Sequence, residues 1–228
     1  MKKYKYLIFD LDDTVLDFKD TERQSLKSIF EKYQIPYDEE HINKYREINK
    51  RLWNELEKEL TTKEKVLNGR FEEFLGLHGH EIDGSIVEDE YRQNLNKGHK
   101  TMPKAIETLK ALREKGYKIY AGTNGLGETQ RQRLTDSAMM ELFDDIFISE
   151  EIGVEKPNVK FFDAIFTKYD FLNKEETLMI GDSLTSDIQG AINYGIDSVW
   201  CNIDSIEIDD KVFTYEIREI EKILEILN

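Results

Sequence analysis

The stretch Tyr6-Leu7-Ile8-Phe9-Asp10-Leu11-Asp12-Asp13-Thr14 decides the reading of this chain. Leu7, Ile8 and Phe9 follow one another without a polar break, which marks a short strand covered on both faces rather than a half-solvated one. The run then stops at acids. A carboxylate at the end of a buried strand lies at the carboxyl edge, where open α/β sheets bind ligands. Asp10 and Asp12 are two residues apart, so in a continuing strand both would lean to one side. Carboxylates that close repel and need a cation or a proton between them. A hard divalent cation such as Mg²⁺ suits oxygen ligands and keeps coordination positions for water or phosphate. Asp-Asp-Thr is also ordinary turn composition, so the site has to be judged by what other strand ends bring to it.

Outward from this stretch, the chain changes rhythm twice. Leu26, Ile29, Phe30 and Tyr33 open a helical pattern that Pro36 closes, and Tyr45, Ile48, Leu52, Leu56 and Leu60 continue with another. Val66, Leu67, Phe71, Phe74 and Leu75 form a third stripe, and Val87, Tyr91 and Leu95 a fourth. No strand is expected from about Phe18 to His99. After a helix opened by Pro103, strands and helices alternate, the pattern of a parallel sheet. Strands are expected at Tyr117–Ala121, Asp145–Ser149, Thr177–Ile180 and Asp197–Asn202. Ile217, Ile220, Leu224 and Leu227 predict a closing amphipathic helix.

The expected architecture is therefore α/β: a doubly wound, Rossmann-like parallel-sheet core from residues 1–16 and 99–228, with an all-helical cap inserted at 17–98. The connections near Asp17 and His99 would act as hinges, and closure of the cap over a core site would exclude water.

With 228 residues, 39% hydrophobic and 35% charged, the chain can build a core beneath a well-solvated surface. A formal net charge of -15 argues against a nucleic-acid polymer or an anionic membrane as partner. It permits a small phosphorylated metabolite, because a bound metal and a few cations set the local field. No apolar stretch reaches membrane-spanning length. Cys201 is the single cysteine, so no intramolecular disulfide forms, as expected of a cytoplasmic protein; its strand-like setting makes it a buried thiol.

Four expected strand ends carry residues suited to one reaction. Asp10 and Asp12 follow the first, Thr123 and Asn124 the second, Lys156 the third, and Asp182 with Asp187 the fourth. A carboxylate nucleophile divides a phosphoryl displacement into two easier steps. A metal clamps it to the phosphoryl oxygens. Thr123 and nearby amides can donate to phosphate, and Lys156 supplies a mobile positive charge. Asp12 can protonate the leaving alkoxide and then deprotonate water. Each residue has a plain structural alternative: Thr123-Asn124-Gly125 as a turn, Gly181-Asp182-Ser183 as a helix cap, Asp187 as a first-turn acid.

Asp10-Leu11-Asp12-Asp13-Thr14, Thr123-Asn124, Lys156-Pro157 and the run Gly181–Asp187 together resemble motifs I to IV of the haloacid dehalogenase-like (HAD) hydrolase superfamily. The resemblance implies Asp10 as nucleophile and Asp12 as acid/base. It implies Mg²⁺ held by the Asp10 carboxylate, the Asp12 backbone carbonyl and Asp182. Thr123, Asn124 and Lys156 would bind the phosphoryl group, and Asp187 would stand in the outer shell. The helical insertion is similar to a type C1 cap, and Asp12 separates the chain from the dehalogenases, which lack the second aspartate.

A narrower resemblance is to the pyrimidine 5'-nucleotidase branch, through Gly122–Gly125, Gln130, Arg133-Leu134 and the run Gly181–Ile196, and more loosely through Leu52-Trp53, Leu56-Glu57, Thr61 and Arg70-Phe71. It implies an aspartyl-phosphate phosphatase acting on a nucleoside 5'-monophosphate, with Arg70 a candidate substrate contact. A sugar-phosphate phosphatase or phosphomutase is the alternative, because the core motifs do not choose the leaving group. A phospho-acceptor switch domain is a more remote one, since the third strand ends near Ser149-Glu150 with no acceptor aspartate. The sequence sets no oligomeric state.

Overall fold

The computed structural model describes residues 4–227. Two compact units are present, one formed by Met1–Phe18 with His99–Asn228 and one by Lys19–Gly98.

The first unit is built on a six-stranded sheet. Its strands are β1 (Tyr6–Phe9), β2 (Lys118–Thr123), β3 (Asp145–Ile148), β4 (Thr177–Gly181), β5 (Asp197–Cys201) and β6 (Tyr215–Ile217). They lie in the order β3-β2-β1-β4-β5-β6, and every pairing is parallel. The chain winds outward from β1 through β2 to β3, then returns to the other side of β1 and winds outward again. That reversal places the carboxyl ends of β1, β2 and β4 side by side at a topological switch point.

The apolar run explains why β1 is central. Leu7, Ile8 and Phe9 are all fully buried. Successive side chains alternate faces. Leu7 and Phe9 pack with Leu109, Leu112, Ile119, Leu178, Ile180 and Val199. Ile8 joins Tyr120, Phe161, Phe162, Ile165 and Met179 on the opposite face. A strand with apolar residues at both parities can sit only where helices cover both sides. Cys201 is buried and free, and burial raises its thiol pKa, which makes it inert.

The second unit is helical. α1 (Phe18–Lys32), whose first residue belongs to the other unit, is followed by α2 (Glu39–Glu57), α3 (Lys63–Gly76) and α4 (Gly84–Leu95). Three starts are capped by side chains: Asp38 accepts from the His41 amide, Thr62 from Lys65 and Asp83 from Ser85. The interior is aromatic. Phe30 stacks on Phe74 with ring centres 5.0 Å apart, and Phe71 meets Tyr91 at 5.1 Å. Arg70 is turned into this interior. It pairs with Glu88 at 2.5 Å, donates to Asn49 Oδ1 at 3.0 Å and lies over the rings of Phe71 and Tyr91. Phe71 is a fully buried core residue, while Trp53 is half-buried and donates to Asn49 Oδ1 at 3.1 Å.

The remaining helices are α5 (Ala105–Glu114), α6 (Gly127–Asp136), α7 (Ser149–Ile152), α8 (Val159–Lys168), α9 (Gln189–Tyr194) and α10 (Ile223–Ile226). No helix among the described residues is long and apolar enough to cross a membrane.

Several element boundaries differ from expectation. Ile217 does not begin the closing helix but ends β6, an edge strand on β5. The spacing Ile217, Ile220, Leu224, Leu227 imitates a helical stripe, yet only α10 is α-helical, after a 3₁₀ turn at Ile220–Lys222. Pro103 precedes α5 instead of opening it, with Lys104 at φ 63° before Ala105. Leu60 lies beyond α2 and is exposed.

Two glycines of the helical unit predict opposite outcomes. A Cβ at Gly84 would lie 2.1 Å from the Asn68 carbonyl oxygen, a backbone atom that α3 holds in place. Gly84→Ala should therefore lose about 1–3 kcal/mol. Gly69, inside α3, has open space where its Cβ would point, so Gly69→Ala should gain roughly 0.5–1 kcal/mol. Urea midpoints of the two variants check both signs.

Candidate active site

The site begins where β1 stops. Asp10 continues the ladder with one more bond, its amide donating to the Ile180 carbonyl at 2.8 Å. The chain then folds into a tight loop. The amides of Val15 and Leu16 both donate to the Leu11 carbonyl, at 3.0 and 2.8 Å, and Asp13 takes φ 55°. The strand does not continue, so Asp10 and Asp12 do not share one set of partners.

Asp10 faces a buried lysine. Lys156 Nζ donates to Asp10 Oδ1 at 2.7 Å, to Asp187 Oδ1 at 2.6 Å and to the Gly122 carbonyl at 2.5 Å. Its side chain is 1% exposed and all three of its N–H groups are used. Lys156 is thus a fixed cation, where the sequence suggests a mobile one. Asn124 helps to fix it: its Oδ1 accepts from the Lys156 amide at 2.8 Å and its Nδ2 donates to the Lys156 carbonyl at 2.9 Å. Both ends of the Asn124 amide are engaged in this way, so its side chain anchors Lys156 instead of being presented to a phosphate.

The end of β4 supplies the other acids. Asp182 is half-buried, and its carbonyl accepts from Trp200 Nε1 at 2.8 Å. Leu184–Ile188 form a π-helical turn before α9, and this turn brings Asp187 back towards β4. Asp187 Oδ2 accepts from the Ser183 amide at 3.1 Å. A Cβ at Gly181 would lie 2.2 Å from Asp187 Oδ2, so only glycine admits this close approach. Asp10, Asp182 and Asp187 each offer a carboxylate oxygen, and the three oxygens lie within 4.8 Å of one another.

Charge does not balance in this cluster. Three carboxylates face one ammonium, leaving two negative charges if all are ionised. Burial raises the Asp10 carboxyl pKa; Lys156 opposes the rise, and Asp187 and Asp12 add to it. Burial also raises Asp182, helped by Asp187 and Asp10. Burial disfavours the Lys156 ammonium, but Asp10 and Asp187 outweigh that and hold its pKa above the ordinary lysine range. The lysine keeps its proton while the carboxylates remain short of positive charge. An all-oxygen donor set with two surplus negative charges fits a hard divalent cation.

Asp12 is held separately. Its Oδ2 accepts from Gln130 Nε2 at 2.6 Å and its Oδ1 from Arg133, both on α6. Thr123, at the end of β2, is 1% exposed, and its Oγ1 accepts from the Gly125 amide and from Gln130 Nε2, each at 3.0 Å. The strand ends thus gather Asp10, Lys156, Asp182 and Asp187 in one cluster and place Asp12 and Thr123 in a second network joined through Gln130. In the sequence, Gln130 and Arg133 stand out only through the resemblance to the nucleotidase branch, which gives them no chemical role. The available signal was that α6 has little apolar sequence: it buries Thr129, Gln130 and Arg133 with Leu134, so polar groups on that face must find partners.

Residues 7–201 match the family model described as haloacid dehalogenase-like hydrolase. The HAD-hydrolase YfnB of Bacillus subtilis is 39% identical over 100% of this chain and 97% of its own length. The pyrimidine 5'-nucleotidase PynA of Streptococcus pneumoniae is 36% identical over 99% of this chain and 95% of its own. A crystal structure of the Bacillus subtilis YfnB protein bound to magnesium superposes with a TM-score of 0.93, covering 99% of both chains. The protein is an enzyme and belongs to the haloacid dehalogenase-like hydrolase family.

Proposed function

We propose that the enzyme is a Mg²⁺-dependent phosphatase that hydrolyses phosphomonoesters through an aspartyl phosphate on Asp10, with nucleoside 5'-monophosphates as its substrates. The observation that carries this reading is the charge-deficient cluster at the end of β1, in which Asp10 stands 2.7 Å from Lys156 Nζ. Asp12 is kept apart on α6 partners. The similarity to a magnesium-bound YfnB supports the metal, and the similarity to PynA supports the nucleotide.

Asp10 and Asp182 would hold Mg²⁺ through their carboxylates, together with the Asp12 carbonyl, and Asp187 lies in the same cluster. When bound, the ion supplies positive charge that screens the phosphoryl oxygens from the nucleophile. An Asp10 carboxylate oxygen attacks phosphorus as the bond from phosphorus to the ester oxygen breaks. Asp12 gives its proton to the departing alkoxide, and the alcohol leaves. Water then attacks phosphorus, Asp12 takes its proton, and the bond to Asp10 breaks to release inorganic phosphate. Lys156 places its charge beside Asp10 throughout, and the Thr123 hydroxyl donates to a phosphoryl oxygen.

The domain organisation joins this reading. The helical segment 17–98, inserted between β1 and α5, serves as the cap that selects the leaving group, because the core residues act only on the phosphoryl end. A small phosphorylated metabolite in the cytoplasm suits a chain with one buried, unpaired cysteine and net charge -15.

Asp10→Asn should lower kcat by more than about 10³-fold with circular dichroism unchanged. Retained turnover would end the proposed mechanism. Mg²⁺ at a hundred times its Kd should stabilise the protein by about 2.7 kcal/mol, read as a rise in Tm that Asp182→Asn diminishes. An unchanged Tm would argue against the metal. On a panel of nucleoside monophosphates and hexose phosphates, the highest kcat/KM is expected for a nucleotide, and faster turnover of hexose phosphates would overturn that assignment.

A further inference from the structure

We propose that Gln130 and Arg133 are positioning residues that form a two-point clamp on Asp12 and, through Gln130, tie its orientation to that of Thr123. This rests on the phosphatase reading above, in which Asp12 handles the proton and Thr123 the phosphate.

The geometry is a branched chain of hydrogen bonds. Arg133 donates to Asp12 Oδ1, and its NH1 also donates to Gln130 Oε1 at 3.1 Å. With its oxygen taken by Arg133, the Gln130 amide must present its nitrogen elsewhere. Nε2 carries two protons and donates to Asp12 Oδ2 at 2.6 Å and Thr123 Oγ1 at 3.0 Å. Both oxygens of Asp12 are therefore held from α6, which fixes the plane of the carboxylate. Thr123 Oγ1 also accepts from the Gly125 amide at 3.0 Å. A hydroxyl has two lone pairs, and these two donors occupy them. Its one proton is left for a third partner, so Thr123 can act toward that partner only as a donor, as a phosphoryl oxygen would require. Gly125 makes room for the arrangement, since a Cβ there would lie 2.3 Å from Gln130 Nε2.

Stability alone does not account for the clamp. The Arg133 side chain is 1% exposed, whereas Asp12 is 29% exposed. A partly solvated aspartate needs no buried partner, and withdrawing a guanidinium from water carries a desolvation cost that a packed apolar residue would avoid. The ring of Phe18 lies 5.6 Å from the guanidinium and recovers part of that cost. What the buried arginine adds is direction: NH1 of a planar, packed guanidinium aims one proton at one oxygen of the acid/base and the other at Gln130 Oε1. An acid that must deliver a proton to one ester oxygen and later accept one from water depends on being held within a narrow angle.

The test separates leaving groups. Uridine 5'-monophosphate expels an alkoxide that needs a proton, whereas 2,4-dinitrophenyl phosphate expels a phenolate that leaves without one. Wild type, Gln130→Leu and Arg133→Lys are compared on both, using kcat for the alkyl ester and the first-turnover rate of dinitrophenolate release for the aryl ester. A misaligned Asp12 predicts that each variant loses at least about 30-fold more on the alkyl ester than on the aryl ester, within the range that proton transfer contributes. Asp12→Asn should show the same split in larger form. Equal losses on the two esters, or alkyl turnover within about threefold of wild type, would overturn the clamp. Should Arg133→Lys fail to fold, Gln130→Leu decides. If wild type in Mg²⁺ hydrolyses neither ester, the phosphatase reading itself fails, and the clamp with it.

Discussion

The structure depends on an unbalanced charge. At the end of the central strand, three carboxylates gather, and two of them bond one buried ammonium. Such a cluster costs several kcal/mol when unneutralised, because each charge has been taken from water. The fold tolerates it through local devices. Lys156 gives all three of its protons to oxygen. Asn124 pins the lysine backbone from both sides. Gly181 gives up its side chain so that Asp187 can fit. A site arranged this way is held open for positive charge, and that need links the fold to phosphoryl chemistry.

The sheet supplies the placement. A parallel sheet directs every carboxyl end the same way, and reversal of the winding at β1 brings β2 and β4 to its two sides. Residues more than a hundred positions apart then meet without any long loop. The two aspartates of the opening motif receive different surroundings because the strand ends between them. Asp10 is buried against lysine, while Asp12 is partly solvated and held from α6. That division suits a nucleophile and an acid/base, whose chemical tasks differ.

Much of this was legible in the sequence, for identifiable reasons. The buried run at Leu7–Phe9 has no alternation, and that fixed both the parallel sheet and the edge where the site lies. The strand–helix rhythm after residue 103 placed Thr123, Lys156, Asp182 and Asp187 at neighbouring strand ends. The four helical stripes between Leu26 and Leu95 correspond to α1 to α4. What the sequence concealed is equally specific. β6 is three residues long and its Ile217 falls in register with a helical stripe, so period alone misreads it. The bonds of Asn124, Gln130 and Arg133 depend on side-chain direction across 3 to 121 positions of chain, and residue spacing carries no such information. Arg70 was misleading in the opposite way. The loose resemblance to the nucleotidase branch makes Arg70 a candidate substrate contact, yet here it neutralises Glu88 inside the unit.

Transfer of phosphorus to Asp10 can be read by quenching the enzyme in acid during turnover with Mg²⁺ and substrate, then locating the phosphoryl group by peptide mass spectrometry. One phosphoryl group, labile to alkali, is expected, with fragment ions placing it on Asp10 and not on Asp12 of the same peptide. A phosphoryl group on Asp12, Asp182 or Asp187, or active turnover with no phosphorylated peptide at any quench time, would contradict it.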